Sequence, residues 1–419
     1  MCQVFKCEEP RAKCQVSDGY VSADRAITHR VSRFTFHVYN VRVTHIAIDA
    51  RLVYYRRESG IGQYIVHLAQ RLPRLDPMGR YIIFHGRKDR IALADAPNAR
   101  RVDLWTPSHH RFEPWTLPLE LARARFDLLH SPDFIPPLRA APFPIGGRFQ
   151  RVITVHDLTF LRYPEFLTVE GRRYYNSQIE RAVRLADHIL ADSHATKVDL
   201  VDRLDVPADK VTVVWLAPDE RFTPDPTHRS RLDRLGLPAI YFLFVGTFEP
   251  RKNVAGLLQA YRVLVDRDAA APTFVLAGRR GWLFDETLAQ VERLGLRQRV
   301  IFLDTPADAD MTALYNGATA LALPSHYEGF GLPVLEAMAC GTPVIISNRG
   351  SLPEIAGEAA LVVDPDDAAA LSSALARVWR DPGLRAALRK KGLARATEFS
   401  WERCARETLG VYKRVLREA

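Results

Sequence analysis

The chain contains 419 residues, of which 47% are hydrophobic and 10% aromatic, a globular composition with enough apolar material for two domains. Its longest apolar run, residues 239–245, is far shorter than the ~18 residues that cross a bilayer, and the N-terminal residues lack the apolar segment of a signal peptide. We therefore expect a cytoplasmic protein, neither secreted nor integral to a membrane.

The formal net charge of +9 leaves three explanations open. The charge follows from an arginine-rich composition alone, or it serves to bind an anionic ligand or membrane surface, or it serves to bind nucleic acid. Because the basic residues are scattered and form no dense run, nucleic acid is the least favoured and is not expected as a partner. Five cysteines in no zinc-like spacing indicate neither a metal site nor a disulfide framework.

The first part of the chain predicts one doubly wound domain. Residues 1–42 show neither helical nor strand periodicity and are predicted to be a loose extension. Order begins at VTHIAIDARLV, where Val43, Ile46 and Ile48 predict a buried strand. Further strands alternate with helical patterns and are predicted at residues 81–86, 127–132, 151–158, 188–193 and 211–218. This alternation predicts a parallel sheet in an N-terminal domain of residues 43–222.

A second strand and helix series follows a linker. Residues 218–230 carry three prolines and little apolar content, which predicts the interdomain connection. Residues 223–395 form the second predicted domain, with strands at residues 239–246, 273–278, 300–304, 319–324 and 343–347. After Gly357 the pattern becomes mostly helical, and a last helix at residues 401–416 is predicted within residues 396–419. Two such halves leave a cleft beyond the carboxyl ends of their strands, where ligands bind.

The densest motif is PSHYEGFGLPVLEAMACGTPVIIS, residues 324–347. Pro333 and Gly341 predict the start and the end of a helix, and the glycines before it let the backbone approach a ligand. The free N–H groups of the first helical turn favour an anion there. Glu328 lies in the loop and Glu336 in the helix, and carboxylates accept hydrogen bonds from paired sugar hydroxyls. A structural cap or ion pair is the alternative role for Glu336.

The segment FVGTFEPRKN, residues 244–253, places two cations after a buried strand. The strand ends at Gly246, and Asn253 is predicted to cap the next helix. Arg251 and Lys252 lie between them and could neutralise a diphosphate, although a solvated surface pair is the simpler explanation for either residue alone.

Two weaker signals lie in the N-terminal half. His156 ends a predicted strand in VHDL and is expected to face the cleft, with a structural role equally open. Gly60 and Gly62 precede a helical pattern and by themselves indicate a turn.

Taken together, EGFGLPVLEAMACGTPV and GTFEPRKN resemble family 4 of the retaining glycosyltransferases, and the resemblance runs from about residue 43 to the end. It implies the GT-B fold, in which two Rossmann-like doubly wound parallel-sheet domains face a cleft. ESGIGQYI and VHDLTFLRYPEF are similar to members that use GDP-mannose. The resemblance therefore implies transfer of a hexose, mannose from GDP-mannose, to a hydroxyl of a glycan or lipid-linked saccharide, without metal or cofactor.

The resemblance also implies roles for individual residues. Arg251 and Lys252 would bind the donor diphosphate, and Glu328 the hydroxyls of the transferred sugar. Glu336 would bind the ribose, and His156 would lie near the anomeric carbon. The other implied donor-binding residues are Gly60, Gly62, Gly246, Pro306, Asp308, Phe330, Gly331 and Leu332. The last helix would cross back onto the first domain.

Some alternatives stay open from the sequence. A nucleotide-sugar epimerase can share this fold, a phosphorylase would need a lysine for pyridoxal phosphate that does not stand out, and a basic nucleic-acid-binding protein is the non-enzymatic alternative. Trp105 and Trp115, with Arg172 and Arg173, would suit peripheral contact with the inner face of a membrane, and ordinary packing would suit them equally.

Overall fold

The structure, a computed structural model, describes residues 43–56, 59–110, 112–135, 149–281 and 284–418. The predicted extension, residues 1–42, lies outside the described residues. In the N-terminal half the strands are β1 (His45–Asp49), β2 (Arg80–Gly86), β3 (Ala99–Leu104), β4 (Leu128–Ser131), β5 (Gln150–Val155), β6 (His188–Ala191) and β7 (Val211–Val213). The helices of this half are α1 (Val53–Arg56), α2 (Gly60–Leu75), α3 (Glu113–Leu121), α4 (Thr159–Arg162), α5 (Val169–Leu185) and α6 (His194–Leu204).

The predicted linker, residues 218–230, leads from β7 towards the C-terminal half. The strands of that half are β8 (Tyr241–Val245), β9 (Thr273–Gly278), β10 (Val300–Asp304), β11 (Ala320–Leu323), β12 (Val344–Ser347) and β13 (Ala360–Val363). Its helices are α7 (Arg229–Arg234), α8 (Val254–Arg267), α9 (Phe284–Arg293), α10 (Asp308–Gly317), α11 (Leu332–Cys340), α12 (Leu352–Ala356), α13 (Ala368–Arg380), α14 (Pro382–Ala396) and α15 (Trp401–Arg417). Every helix in the described part of the chain is too short or too polar to span a bilayer.

Both sheets are doubly wound, as the sequence predicts. The described strands lie in the orders β3-β2-β1-β4-β5-β6-β7 and β10-β9-β8-β11-β12-β13, and their pairings are parallel. In each sheet the order reverses next to the strand that comes first in the chain. This point lies between β1 and β4 in the N-terminal sheet and between β8 and β11 in the C-terminal sheet. Ligands of such sheets bind at these reversal points, outside the carboxyl ends of the strands.

Edge strands are the main difference from the sequence prediction. β13 lies in the segment after Gly357 that was expected to be mostly helical, and it pairs with β12 from Val344↔Ala360 to Ser347↔Val363. The segment is mostly helical as predicted, through α13, α14 and α15. The sequence did not indicate the short strand β13, because pairing with a neighbouring strand decides the structure of a short apolar run. Val43 was also expected in the first strand, but it precedes β1 and is 40% exposed.

Capping residues set the ends of the helices that border the cleft. In α11, Pro333 occupies the first turn and Gly341 ends the helix in the left-handed conformation at φ 79°, both as predicted. Helix α2 begins at Gly60, because Ser59 Oγ accepts a hydrogen bond from the Gly62 amide at 3.2 Å. Gly60 and Gly62 therefore form the first helical turn and not a separate loop.

The two halves approach each other closely at two glycines, and at Gly329 the neighbouring backbone excludes a side chain. A Cβ added to Gly329, in the loop before α11, would lie 2.1 Å from the carbonyl oxygen of His156. A Cβ on Gly60 would lie 2.9 Å from Cδ1 of Leu332. Substitution of either glycine therefore pushes on a residue of the opposite half.

Polar contacts and the last helix also join the halves. The Glu354 carboxylate, on α12, accepts hydrogen bonds from the amide of His194 at 2.9 Å and from Nε1 of Trp215 at 2.7 Å. Helix α15 packs against α2, and its Tyr412 hydroxyl lies 2.5 Å from Nδ1 of His130.

We expect Glu354→Ala to lower the stability of the protein by about 1.5–3 kcal/mol, because the first turn of α6 and the Trp215 indole lose a charged acceptor. Thermal and urea unfolding measure this loss. Glu358→Ala is the matched control, since its carboxylate is almost fully exposed and pairs only loosely with Lys391 at 3.4 Å. Equal effects of the two substitutions would show that Glu354 does not hold the halves together.

Candidate active site

A cavity of about 330 Å³, called here the first cavity, lies between the carboxyl ends of the two sheets. Loops after β8, β9 and β10 and the start of α11 line it from the C-terminal half. The start of α2 and the segment after β7 line it from the N-terminal half. Its lining includes the predicted residues Gly60, Gly246, Arg251, Lys252, Pro306, Asp308, Leu332 and Glu336.

A buried ion cluster forms the floor beside this cavity. Glu328, only 5% exposed, accepts hydrogen bonds through Oε1 from Lys252 Nζ at 2.6 Å and from Ser325 Oγ at 2.7 Å. Its Oε2 accepts from Arg251 Nη1 at 2.7 Å. Burial raises the pKa of this carboxyl, but Lys252 and Arg251 outweigh that effect and lower it from 4.5 to about 2. Glu328 is therefore ionised at any physiological pH.

The two cations are shared with carboxylates rather than free, which the sequence did not predict. Arg251 Nη2 also donates to Glu249 Oε1 at 2.6 Å. Two cations thus face two carboxylates, those of Glu249 and Glu328. The reason is that a buried charge is tolerated only when it is paired and hydrogen-bonded. The Glu328 carboxylate consequently fixes the positions of Arg251 and Lys252.

Glu336 lies on α11 and faces the first cavity, half-buried. Tyr315 donates a hydrogen bond from its hydroxyl to Glu336 Oε2 at 2.6 Å. Burial raises the pKa of Glu336 from 4.5 to about 7, more than Tyr315 and Arg221 lower it. This carboxyl therefore changes charge near neutral pH.

The remaining predicted residues do not line the first cavity. Phe330 is buried, with its ring 6.2 Å from that of Phe399. Gly331 precedes α11 in the left-handed conformation at φ 99°, which favours glycine. Gly62 is buried inside α2. These three residues therefore lie in the structure around the cavity and not in its lining.

His156 lies in a neighbouring, second cavity of about 390 Å³. Its Nδ1 donates to Asp192 Oδ2 at 2.6 Å and its Nε2 to the carbonyl oxygen of Pro132 at 3.0 Å. Burial lowers the pKa of His156, but Asp192 more than reverses this and the pKa rises from 6.5 to about 9. The imidazolium therefore has both of its N–H groups bound within the protein. Glu249 and Arg251 line both cavities, so the two cavities meet at this pair.

Sequence reasoning missed several residues of the first cavity. Arg279 directly follows β9 and is exposed in the lining, and its position after a strand is the same signal that identified Arg251 after β8. Arg221 lies in the linker and pairs with Asp308 at 2.9 Å. His67, on α2, stacks on Trp401 of α15 with ring centroids 4.3 Å apart, a contact that no sequence pattern indicates. Among the described residues, no cluster of three or more histidine, cysteine or acidic side chains is placed to hold a metal ion.

Comparison with known families matches both halves of the chain. Residues 59–219 match the model described as Glycosyltransferase Family 4, and residues 234–395 match the one described as Glycosyl transferases group 1. The chain is 33% identical over 376 residues to O-antigen chain mannosyltransferase B of Escherichia coli, covering 85% of this chain and 96% of that protein. It is 30% identical over 284 residues to the serotype-specific mannosyltransferase WbdA of Escherichia coli, covering 65% of this chain and 34% of WbdA.

Solved structures confirm the fold. The chain is similar to a sucrose-phosphate synthase from Thermosynechococcus elongatus, with a TM-score of 0.72 and 23% identity over 90% of this chain and 100% of that one. It is also similar to HepE of Anabaena in complex with UDP and glucose, with a TM-score of 0.69 and 19% identity over 88% of this chain and 99% of that one. The two facing doubly wound sheets are the predicted GT-B arrangement.

Glu336→Gln is expected to stabilise the ligand-free protein at pH 8 but not at pH 4.5. A carboxyl whose folded-state pKa is raised contributes fully below its unfolded value of 4.5, and this stability is lost as the pH rises towards 7. Glutamine keeps an acceptor for Tyr315 without the buried charge, so the gain at pH 8 should reach about 1–3 kcal/mol. Urea unfolding at both pH values measures the gain. The exposed Glu292→Gln serves as control, and a pH-independent difference for Glu336→Gln would contradict the raised pKa.

Proposed function

The chain belongs to the family 4 glycosyltransferases, and we propose that it transfers mannose from GDP-mannose, with retention, to a hydroxyl of a glycan or lipid-linked saccharide. The names of the two Escherichia coli relatives support mannose as the sugar and a surface glycan as the acceptor class. The observation that carries the proposal is the paired, buried cluster of Arg251, Lys252 and Glu328 between the two sheets.

The first cavity is the proposed donor site. Gly60 and Gly246 line it without side chains, and the first turn of α11 borders it at Leu332 and Pro333, where the positive end of the helix dipole favours an anion. A diphosphate in this position would lie beside Arg251 and Lys252, whose charges would then be shared between Glu328 and the ligand. Arg279 adds a cation at the end of β9. These groups supply the positive charge that a diphosphate requires.

Transition-state stabilisation follows from this geometry. As the bond between the anomeric carbon and the diphosphate oxygen breaks, negative charge grows on the leaving group. Arg251 and Lys252 are already fixed by Glu328, so they stabilise that charge without reorganising. The acceptor oxygen bonds to the anomeric carbon on the same face, and its proton passes to the departing diphosphate. No protein nucleophile is needed in this scheme.

Glu336 is the proposed ligand of the ribose. Its carboxylate faces the cavity about one turn into α11 and is held by the Tyr315 hydroxyl. Two ribose hydroxyls can donate to a carboxylate, which favours its ionised form. Pro306 and Asp308 at the start of α10 would lie on the side of the nucleotide base, where Arg221 holds Asp308.

Peripheral attachment to the inner face of a membrane is part of the same proposal. Trp105 and Trp115 are 71% and 60% exposed, and Arg172 and Arg173 are exposed at the start of α5. Amphipathic aromatic and cationic side chains favour the headgroup region of an anionic membrane. A lipid-linked acceptor would itself lie at the membrane surface, so attachment there would bring the enzyme close to this substrate.

GDP-mannose is expected to stabilise the protein more than UDP-glucose in a thermal-shift titration, and to serve as donor in transfer to a mannoside. A ligand at 100 times its Kd adds about 2.7 kcal/mol of stability, which such a titration detects. A preference for UDP-glucose would remove GDP-mannose as the donor. Turnover of the nucleotide sugar to an epimer in the absence of acceptor would indicate an epimerase instead.

Transfer is also expected to persist in excess EDTA and to fall about 10²–10³-fold in Lys252→Ala, because the cation acts on charge that grows in the transition state. Lys391→Ala, at an exposed lysine on α14, is the control. Because Lys252→Ala leaves Glu328 with one partner fewer, thermal unfolding of the variant tests whether a loss of turnover reflects misfolding. Activity abolished by EDTA and restored by Mn²⁺ would contradict this mechanism.

A further inference from the structure

The second cavity opens onto the position where the donor sugar would lie. It is lined by the loops after β4 and β5, by the start of α5, and from the C-terminal half by Glu249 and Arg251. Those two side chains also line the first cavity. A ligand in the second cavity therefore meets a ligand of the first at the Glu249–Arg251 pair. A volume of about 390 Å³ lies in the ~300–1,000 Å³ range of small-molecule sites.

One wall of the second cavity is aromatic. The rings of Phe134, Phe160 and Tyr175 contact one another, with centroids 5.3–5.9 Å apart. Phe166 adds a further ring from the short turn before α5. Apolar ring surface suits the C–H faces of a pyranose and provides no charge for an ionic ligand.

Three carboxylates of the described chain line the second cavity, beside the hydroxyl groups of Thr159, Thr168 and Tyr175. Asp157 accepts from the Thr159 amide through Oδ1 at 2.9 Å, and its Oδ2 makes no hydrogen bond to any described residue. Glu249 accepts a hydrogen bond from Arg251 through Oε1, and its Oε2 also makes no hydrogen bond to any described residue. Asp133 adds a third carboxylate, 2.9 Å from Nε2 of His109. Carboxylate oxygens accept hydrogen bonds from sugar hydroxyls.

The cations of the second cavity are already bound within the protein. Arg251 donates to Glu249, Glu328 and the Tyr327 carbonyl oxygen. His156 donates to Asp192 and to the Pro132 carbonyl oxygen, which fixes the loops after β4, β5 and β6 relative to one another. Among the described residues, a phosphate group in this cavity would face three carboxylates, while His109, His156 and Arg251 are each already paired with a carboxylate. The local charge is thus unfavourable to anions, although the whole chain carries +9.

We propose that the second cavity binds the acceptor as an uncharged hexose at the end of a glycan, and that Asp157 accepts a hydrogen bond from the hydroxyl group that is glycosylated. This inference rests on the proposed function. The acceptor oxygen bonds to the anomeric carbon, the bond from that carbon to the diphosphate breaks, and the hydroxyl proton moves to the diphosphate oxygen. Asp157 orients the hydroxyl and is unchanged at the end.

The test uses the full-length protein with saturating GDP, so that the first cavity is occupied. Methyl α-D-mannopyranoside is the neutral probe and mannose 6-phosphate the anionic one, each titrated by ligand-observed NMR. We expect the neutral probe to bind at least tenfold more tightly. Asp157→Asn should weaken the binding of methyl α-D-mannopyranoside at least tenfold. The difference in Kd between the neutral and the anionic probe should therefore become smaller. In transfer to the mannoside, it should raise KM without changing the Kd of GDP-mannose by more than twofold.

Controls separate the possible failures. Asp202→Asn, at an exposed position on α6, should leave the affinities for both probes unchanged. If Asp157→Asn folds poorly, Glu249→Gln serves as a further variant in the second cavity. Equal or tighter binding of mannose 6-phosphate would overturn the inference, as would an unchanged mannoside affinity and KM in both cavity variants. Failure of the wild-type protein to bind GDP or GDP-mannose would instead reject the proposed function, and the donor titration shows this independently.

Discussion

The buried carboxylate of Glu328 is the interaction on which the geometry of the cleft depends. It binds Arg251 and Lys252 at 2.7 and 2.6 Å, and the next residue, Gly329, touches the His156 carbonyl of the opposite half. One dipeptide thus orients both cations and forms a close contact between the two halves. Because a buried charge without a partner is strongly unfavourable, loss of any member of this cluster disturbs the others. Pre-positioned cations are what a leaving diphosphate needs, since they require no rearrangement as charge develops.

Local and global electrostatics differ in this protein. The chain as a whole is basic, yet the second cavity is surrounded by Asp133, Asp157 and Glu249, and its cations are bound to protein acceptors. Among the described residues, the first cavity is lined by four cationic side chains and four carboxylates: Arg221, Arg251, Lys252, Arg279, Asp219, Glu249, Asp308 and Glu336. The two adjoining cavities therefore differ in local charge although they share one Arg–Glu pair. Net charge alone could not have shown this, because it averages over surfaces with different roles.

Contacts between the two halves bring the last helix to the first cavity. The backbone of His156 leaves no room for a side chain at Gly329. Helix α15 returns from the C-terminal half to pack on α2 and brings Trp401 against His67 in the first cavity. The cleft is therefore built from segments distant in the chain. A change at the last helix can alter the first cavity without touching any residue of the motifs, because Trp401 lines that cavity directly.

The sequence by itself determined the two doubly wound halves and the start and end of α11, because strand–helix periodicity and glycine and proline positions are local properties. It determined only part of the first-cavity lining. It also identified Glu328, Glu336, Arg251 and Lys252 as a group. Only the tertiary structure decided which charges pair, since Glu328 meets its cations across about 76 residues. It likewise decided that His156 has both nitrogens engaged, that Ala360–Val363 is a strand, and that a second, acidic cavity adjoins the first. These features depend on contacts between distant segments, which periodicity and spacing do not encode.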